Sequence, residues 1–523
     1  MHIAHDLILS YIAFHYVYNA RIGGDMSRAT TDVLICGAGG AGLVLAIDLA
    51  RRGVEFRLID RLETPFAGSR GKGLQPRSLE VFEDLGVLPR ILEHALPYPP
   101  LRTYMGDTVV DRPMSEWVEP TVAEPYPNTL LLPQNLTEQA LRARLADFGR
   151  APEYGVTLTG FSQDDDGVVA ELATRTGPEQ ARARYLVGAD GGRSFVRQAL
   201  SLGFPGQTLP GRGVVADLKV DGLDRDAWHI WPRGPGQMIG LCPLAGTDLF
   251  QLIALLSDED APEPGPGDLS DWIRSASGRE DLVVHPPVWV SAFRANARVA
   301  ERYRVGRVLL AGDAAHVHPP TGGQGLNTSL QDTYNLGWKL ATVLNGGPDS
   351  LLDTYESERR PIAASVLDLS TGILARKGGE LMKRGRETKG LDLDYADSPL
   401  ASDARALPGQ MAAGERAPDA LCRDRDGRTV RLFDLFADPH WTLLAYGATA
   451  PENLPAEVAA HAIGSGRDLT EIGDTISRAY DLRPGTWVLV RPDGFIGLLA
   501  EAGDEAALHS YLAAATAPAR VLA

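Results

Sequence analysis

The sequence predicts an α/β protein: a Rossmann-like dinucleotide-binding domain, interrupted by a mainly β-sheet insert and followed by a separate small domain. Three observations carry this. Residues 31–61 read as strand, glycine turn, helix and strand; residues 205–300 switch to strand-like alternation rich in Pro, Gly and Trp; and SPLASDARALPGQ (398–410) reads as a linker. A chain of 523 residues exceeds what one hydrophobic core supports and splits into two or three domains.

At the start, LILSYIAFHYVYN (7–19) is apolar but holds Ser10, Tyr11 and His15. It is too short to span a bilayer. His2, His5 and Asp6 precede it instead of the basic residues of a signal peptide. Residues 1–29 are read as a non-functional N-terminal extension, because Met26 directly precedes the first domain signal.

From Thr31, Val33–Cys36 forms an apolar run, Leu43, Ile47 and Ala50 recur at helical spacing, and VEFRLID alternates like a strand. This is a βαβ unit, whose expected setting is a parallel sheet. NLTEQALRARLADFG (135–149) reads as a helix, and QDDDGVVAEL with ARARYLVGADGG as a hairpin followed by a strand; the aspartates 164–166 read as a solvated turn. After the insert, RVLLAGDAAH returns as a strand and TSLQDTYNLGWKLATVL as a long helix. The expected division is 30–400 for the first domain, interrupted at about 95–130 and 205–300 by the pocket-lining domain, and 401–523 for the last.

The formal charge of −17 argues against a nucleic-acid partner, since phosphate neutralisation needs a basic face. Cys36, Cys242 and Cys422 are far apart and form no C-x-x-C, which suits a reducing cytoplasm better than a disulfide framework. No membrane association is expected.

Three short motifs carry chemistry. Gly37-x-Gly39-x-x-Gly42 sits between strand and helix, where glycines let a pyrophosphate approach the helix N-terminus. Asp60 ends the second strand, placed to accept from ribose hydroxyls. The second motif is GADGGRSFVR (188–197), an apolar strand running into Asp190-Gly191. The third is GDAAHVHPPTGGQGLN (312–327). That stretch offers three readings: a metal site at His316-x-His318, a phosphate loop at its glycines, or a general base at Asp313. No further His or Cys nearby completes a metal site, and none is assigned. Trp228 and Trp231 are three apart and do not match the W-x-W-x-I-P pattern of flavin halogenases. No G-x-S-x-G elbow is present.

With these motifs in this order, residues 30–370 resemble the FAD-dependent aromatic hydroxylases, the single-component flavoprotein monooxygenases related to p-hydroxybenzoate and phenol hydroxylases. The likeness is closest to hydroxylases of aromatic polyketides and rifampicin. DTYNLGWKLA (332–341) and YESERRP (355–361) match the helices that follow in that family. The tail, GERAPDALCRDRDGRTVRLFDLF with WTLLAYG and GTWVLVRPDGFIG, resembles the thioredoxin-like C-terminal domain of many members. Cys422 is its only cysteine, which rules out disulfide chemistry there.

The resemblance implies tightly bound, non-covalent FAD. Its ligands would be Gly37, Gly39, Ala41, Gly42, Asp60, Arg61, Arg70, Gln134, Asp190 and Asp313, the last at the ribityl chain. Gly325, Leu326 and Asn327 would face the flavin ring with helix-end N–H groups. Pro320 would lie near flavin C4a with its backbone carbonyl, and His318 would contact substrate. Phenol hydroxylase carries an aspartate just before GLQ, where this chain has Lys72, so carboxylate activation of a phenol does not carry over.

The implied reaction uses NAD(P)H as a transient co-substrate and O2, and hydroxylates a phenolic or quinonoid ring, polycyclic polyketides included, through a C4a-hydroperoxyflavin. The alternatives are Baeyer–Villiger oxidation or epoxidation, a flavin oxidase or dehydrogenase without oxygen insertion, and a flavoprotein that only sequesters an aromatic ligand. A monomer or homodimer in the cytoplasm is expected.

Overall fold

The computed structural model describes residues 29–209, 212–234, 237–256, 266–319, 321–374 and 384–516. The extension at 7–19 and Pro320 lie outside them.

Strand β1 (Ala29–Cys36), helix α1 (Gly40–Arg51) and β2 (Phe56–Asp60) form the predicted βαβ unit. β1 pairs in parallel with β2, Val33 opposite Phe56 and Cys36 opposite Ile59. Both faces are covered, so Val33, Leu34, Ile35, Leu58 and Ile59 are all buried, as a parallel sheet demands. Helix α2 (Pro76–Asp84) starts on a proline, whose missing N–H costs nothing at a helix start.

Strands β3 (Leu101–Met105) and β4 (Thr108–Arg112) leave this layer and join the second sheet. The chain returns through α3 (Gln134–Asp147) and β5 (Gly177–Gly188), which lies parallel to β1 on its other side. The aspartate cluster is the tip of a hairpin, where Asp164 Oδ1 accepts from Asp166 N at 2.9 Å and Gly167 N at 2.8 Å. This turn holds itself by short-range carboxylate bonds and stays exposed.

Strands β6 (Arg212–Leu218), β7 (Trp228–Gly234), β8 (Gln237–Pro243), β9 (Phe250–Leu256) and β10 (Trp289–Phe293) build the insert. Their sheet runs β10-β6-β9-β8-β7-β3-β4. One face packs its own core of Val214, Ala216, Leu241, Phe250 and Leu252; the other turns Trp228, Met238 and Ile253 toward the first layer. Strand β11 (Val308–Leu310) pairs with β5 in the first sheet, and helices α4 (Gly325–Leu344) and α5 (Asp353–Leu374) follow. Pro361 sits inside α5 without ending it.

Residues 402–501 contribute a further eight-stranded sheet. It meets α4 and α5 through buried charge: Arg491 donates to both oxygens of Glu358 at 2.8 and 2.9 Å, and Lys339 Nζ lies 2.6 Å from Glu358 Oε2. Trp338 and Asn335 donate to Asp493 at 3.0 and 3.1 Å. Each of these charges is fully buried and paired, as burial requires. Cys422 lies in the core of this region, free of any disulfide, and burial pushes its thiol up to about 12.

Candidate active site

The ends of β1, β5 and β11 carry the three motifs to one place, because these strands are parallel neighbours. Gly37 takes φ +111°, and a Cβ there would meet Ala189 O at 2.2 Å. A Cβ on Gly42 would meet Gly37 O at 1.9 Å. The glycines at 37 and 42 thus fold the turn tightly and press it onto the Ala189-Asp190 loop. Asp60 accepts from Ala38 N and Leu62 N, both at 2.8 Å, so the predicted ribose acceptor also braces the glycine turn.

The other two loops are tied to each other. Asp190 Oδ2 caps the next helix, accepting from Phe195 N at 2.7 Å and Val196 N at 3.1 Å. Arg197 donates to Gly192 O at 2.9 Å and across to Ala314 O at 2.7 Å. Its guanidinium stacks on Phe204 at 3.8 Å. One buried arginine therefore sets the spacing of the Asp190 and Asp313 loops.

Between the two sheets lies a cavity of about 520 Å³. At one end it is lined by Gly39, Gly40, Ala41, Gln134 and Asp313, and near these by Gly325, Leu326 and Ser329. The starts of α1 and α4 converge there: a Cβ on Gly40 would stand 3.1 Å from Leu326 Cδ1. Two helix N-termini facing one cavity favour negative charge twice over. At the other end Tyr98, Met114, Trp228, Met238, Ile253 and Phe293 form an apolar wall.

Of the predicted site residues, Gly39, Ala41, Arg70, Gln134, Asp313, His318, Gly325 and Leu326 line this cavity. Gly37, Gly42, Asp60, Arg61, Asp190 and Asn327 stand off its lining. Arg61 is exposed. Asn327 is buried and clamps loops, accepting from Gln75 N at 2.8 Å and donating to Gly73 O and Gly323 O at 2.9 and 2.8 Å.

The two histidines form a chain. His316 Nε2 lies 2.6 Å from Asp332 Oδ2, and His316 Nδ1 lies 3.0 Å from His318 Nε2. Asp332 also takes Arg359 Nε at 2.8 Å and Gly312 N at 3.1 Å. Burial, then His316, pushes His318 down to about 3. Among the described residues no group of three or more His, Cys, Asp or Glu could hold a metal. Asp313 faces the cavity, and its carboxyl is raised by burial, against the pull of His316, Arg70 and Ser329.

Sequence reasoning missed several groups in or beside the cavity lining. Glu138 is buried one helical turn after Gln134, whose Nε2 donates to it at 2.8 Å. Burial raises its carboxyl, against the pull of Gln134 and Arg142. The i, i+4 spacing to Gln134 was the available signal. Gln75 and Arg384 line the cavity, and no local pattern marks them. The tryptophan pair splits: Trp228 is cavity wall, while Trp231 is core, stacked on Tyr104 at 5.1 Å.

The residues fit a flavin adenine dinucleotide. The glycine turn excludes side chains from the start of α1, two helix N-termini converge, and Asp190 Oδ1 and His318 Nδ1 are buried without a hydrogen-bond partner among the described residues. Fold and site together define a dinucleotide-binding flavoprotein with an apolar pocket beside its cofactor site.

Comparison with known proteins is consistent with this. Residues 30–370 match the FAD binding domain family, and residues 410–519 match the aromatic-ring hydroxylase C-terminal family. The chain is 43% identical over 480 residues to a flavin-dependent monooxygenase of Mycobacteroides abscessus, covering 90% of this chain and 97% of that one. It is 33% identical over 496 residues to pentachlorophenol 4-monooxygenase of Sphingobium chlorophenolicum, covering 89% and 86%. The crystal structure of aklavinone-11 hydroxylase in a ternary complex with FAD and aklavinone superposes with a TM-score of 0.77 at 29% identity, covering 94% and 99%. The chain belongs to the FAD-binding aromatic-ring hydroxylase family and is an FAD-dependent monooxygenase. No helix among the described residues is long and apolar enough to cross a membrane.

Proposed function

We propose that this enzyme uses NAD(P)H and O2 to hydroxylate a phenolic or quinonoid ring held in the apolar half of the cavity. The observation that carries the reading is the cavity itself: one space joins the converging helix starts to a wall of Trp228, Tyr98, Met238 and Phe293. FAD, when bound, supplies the electron transfer and the activation of oxygen. Its phosphates would lie at the glycine turn 37–42 with Asp60 and Arg61 toward the adenosine. Asp190 and Asp313 would take the sugar-alcohol hydroxyls, and Arg70, Gln134 and residues 325–327 the ring system.

The protein's own contribution is to bind, orient and exclude water. The sheet wall keeps the reacting edge dry, which protects a reactive oxygen species from being wasted. Positioning a ring carbon against the cofactor makes the reaction effectively unimolecular. His318, which lines the cavity, would contact the substrate. One relative named for pentachlorophenol and one solved structure holding aklavinone support a phenolic ring that is single or fused. The last domain, without a cysteine pair, would buttress α4 and α5 and perform no redox step.

The test is NAD(P)H oxidation by the FAD-loaded enzyme against a panel of phenols, naphthoquinones and tetracyclic polyketides. At least one should accelerate it tenfold or more. Uniform, ligand-independent consumption across the panel would refute the proposal.

A further inference from the structure

Among the described residues Lys72, Lys339 and Lys389 are buried, and of these Lys339 alone forms an ion pair. Lys339 is fully buried and sits 2.6 Å from Glu358. Lys72 is 8% exposed, and no carboxylate of the described residues comes within 4 Å of it. Its ammonium donates to Gln251 Oε1 and lies 4.2 Å from the Trp228 ring centroid. Gln251 in turn donates to Ser69 Oγ, and Ser69 donates to Asp217 through N at 2.6 Å and Oγ at 2.5 Å. Asp217 is thus the nearest acid along the chain of bonds, and its oxygens are already engaged by Ser69. A buried ammonium held only by an amide and a ring is costly.

The surroundings share this sign. Lys72, Arg212 and Arg384 line the cavity with Arg70, whereas Asp313 is the one acidic residue in its lining among the described residues. The whole chain carries −17, so positive charge is gathered here against the trend of the molecule. Lys72 stands on the apolar side, against Trp228 and Gln251 of the insert.

We propose that Lys72 is the anion-binding residue of the substrate half, and that the substrate is an aromatic compound presenting a ring-attached anionic oxygen, an ionised hydroxyl or a carboxylate, to it. This rests on the monooxygenase reading above. An ionised hydroxyl would push electron density into the ring carbons ortho and para to it, where oxygen is inserted; a carboxylate would serve as an anchor. Trp228 shares the cation and the flat face of the ring. Lys72 would stabilise this anion, and no carboxylate of the described residues lies within 4 Å of it to generate one.

The experiment uses the FAD-loaded enzyme, Lys72→Met and Lys72→Arg, with flavin content checked on each. The probes are 4-nitrophenol, whose neutral and ionised forms absorb at different wavelengths, and benzoate, followed through the flavin spectrum. 4-Nitrophenol is added one pH unit below its pKa, where roughly ten in eleven free molecules are neutral. In the native enzyme the bound probe should be ionised, and in Lys72→Met neutral or bound at least tenfold more weakly. Lys72→Arg should keep the ionised form. Benzoate weakened tenfold or more by Lys72→Met supports the same site and names a carboxylate as the anchor. The proposal is overturned if the native enzyme binds 4-nitrophenol as the neutral phenol with benzoate indifferent to Lys72→Met, if flavin-loaded Lys72→Met binds the ionised probe as tightly as the native enzyme, or if the native enzyme binds neither probe. The native titration stands even where Lys72→Met loses its flavin. Failure of the hydroxylase reading shows separately, as ligand-independent NAD(P)H oxidation.

Discussion

His316 and Asp332 are joined by a 2.6 Å hydrogen bond in a fully buried setting, and Arg359 Nε closes on the other carboxylate oxygen at 2.8 Å. His316 reaches the cavity only through His318, so this aspartate anchors the histidine pair from within the core. Asp332→Asn leaves Arg359 buried without its counter-charge. The expected loss is about 3–5 kcal/mol, the usual cost of breaking a buried pair. Urea denaturation of the flavin-loaded enzyme measures it.

His318 gives a pH dependence of definite sign. Its folded pKa is depressed to about 3 by burial and by His316, while the unfolded value is near 6.5. The unfolded chain therefore takes up a proton first as pH falls. Stability from this residue is complete above about pH 6.5 and declines below it by up to about 1.4 kcal/mol per pH unit, toward the folded pKa. Denaturation midpoints from pH 8 to 4 should show that slope, and His318→Asn should flatten it between pH 6.5 and 5. An unchanged slope in the variant would contradict the assignment.

Arg491 fixes the last sheet to α5. Burial raises the Glu358 carboxyl, but Arg491 and Lys339 outweigh it and hold the group well below the usual carboxylate range. Arg491→Met should destabilise the protein by about 3–5 kcal/mol and separate the unfolding of residues 410–516 from that of the FAD-binding part. Calorimetry should then resolve two transitions where the native enzyme gives one.

Arg197 spans the loops of Asp190 and Asp313 by its bonds to Gly192 O and Ala314 O. Arg197→Met removes charge-assisted bonds worth about 1.5–3 kcal/mol. FAD affinity should fall by about ten- to a hundredfold, with the spectrum of any FAD that binds unchanged. Equilibrium dialysis against free FAD reads this directly.

The sequence disclosed those parts of the fold and site that depend on local pattern. Gly37 and Gly42 are legible because a turn this tight admits no Cβ, and β1–α1–β2 because a parallel strand buried on both faces is a continuous apolar run. The segment at 95–130 is expected to belong with the insert, but the pairing of β3 beside β7 is not legible, since strand partners far apart in sequence leave no mark on either. The spacing marks Asp60 as a ribose acceptor, but its bracing of Ala38 N emerges only from the folded turn. Lys72 stands out in the sequence just before GLQ, but its lack of a counter-charge depends on Gln251 and Asp217, which come from two other segments, and on how they engage Ser69. Arg384 and Glu358 likewise acquire meaning only when remote helices and strands meet.

The central claim is that an aromatic ring in this cavity receives an oxygen atom. The direct measurement is turnover of the flavin-loaded enzyme with NAD(P)H, a stimulating phenol and oxygen-18-labelled O2, followed by mass analysis of the products. The account predicts one labelled oxygen atom in the ring product for each NAD(P)H consumed in coupled turnover. Label found only in hydrogen peroxide or water, with the aromatic compound unchanged or merely dehydrogenated, would contradict it.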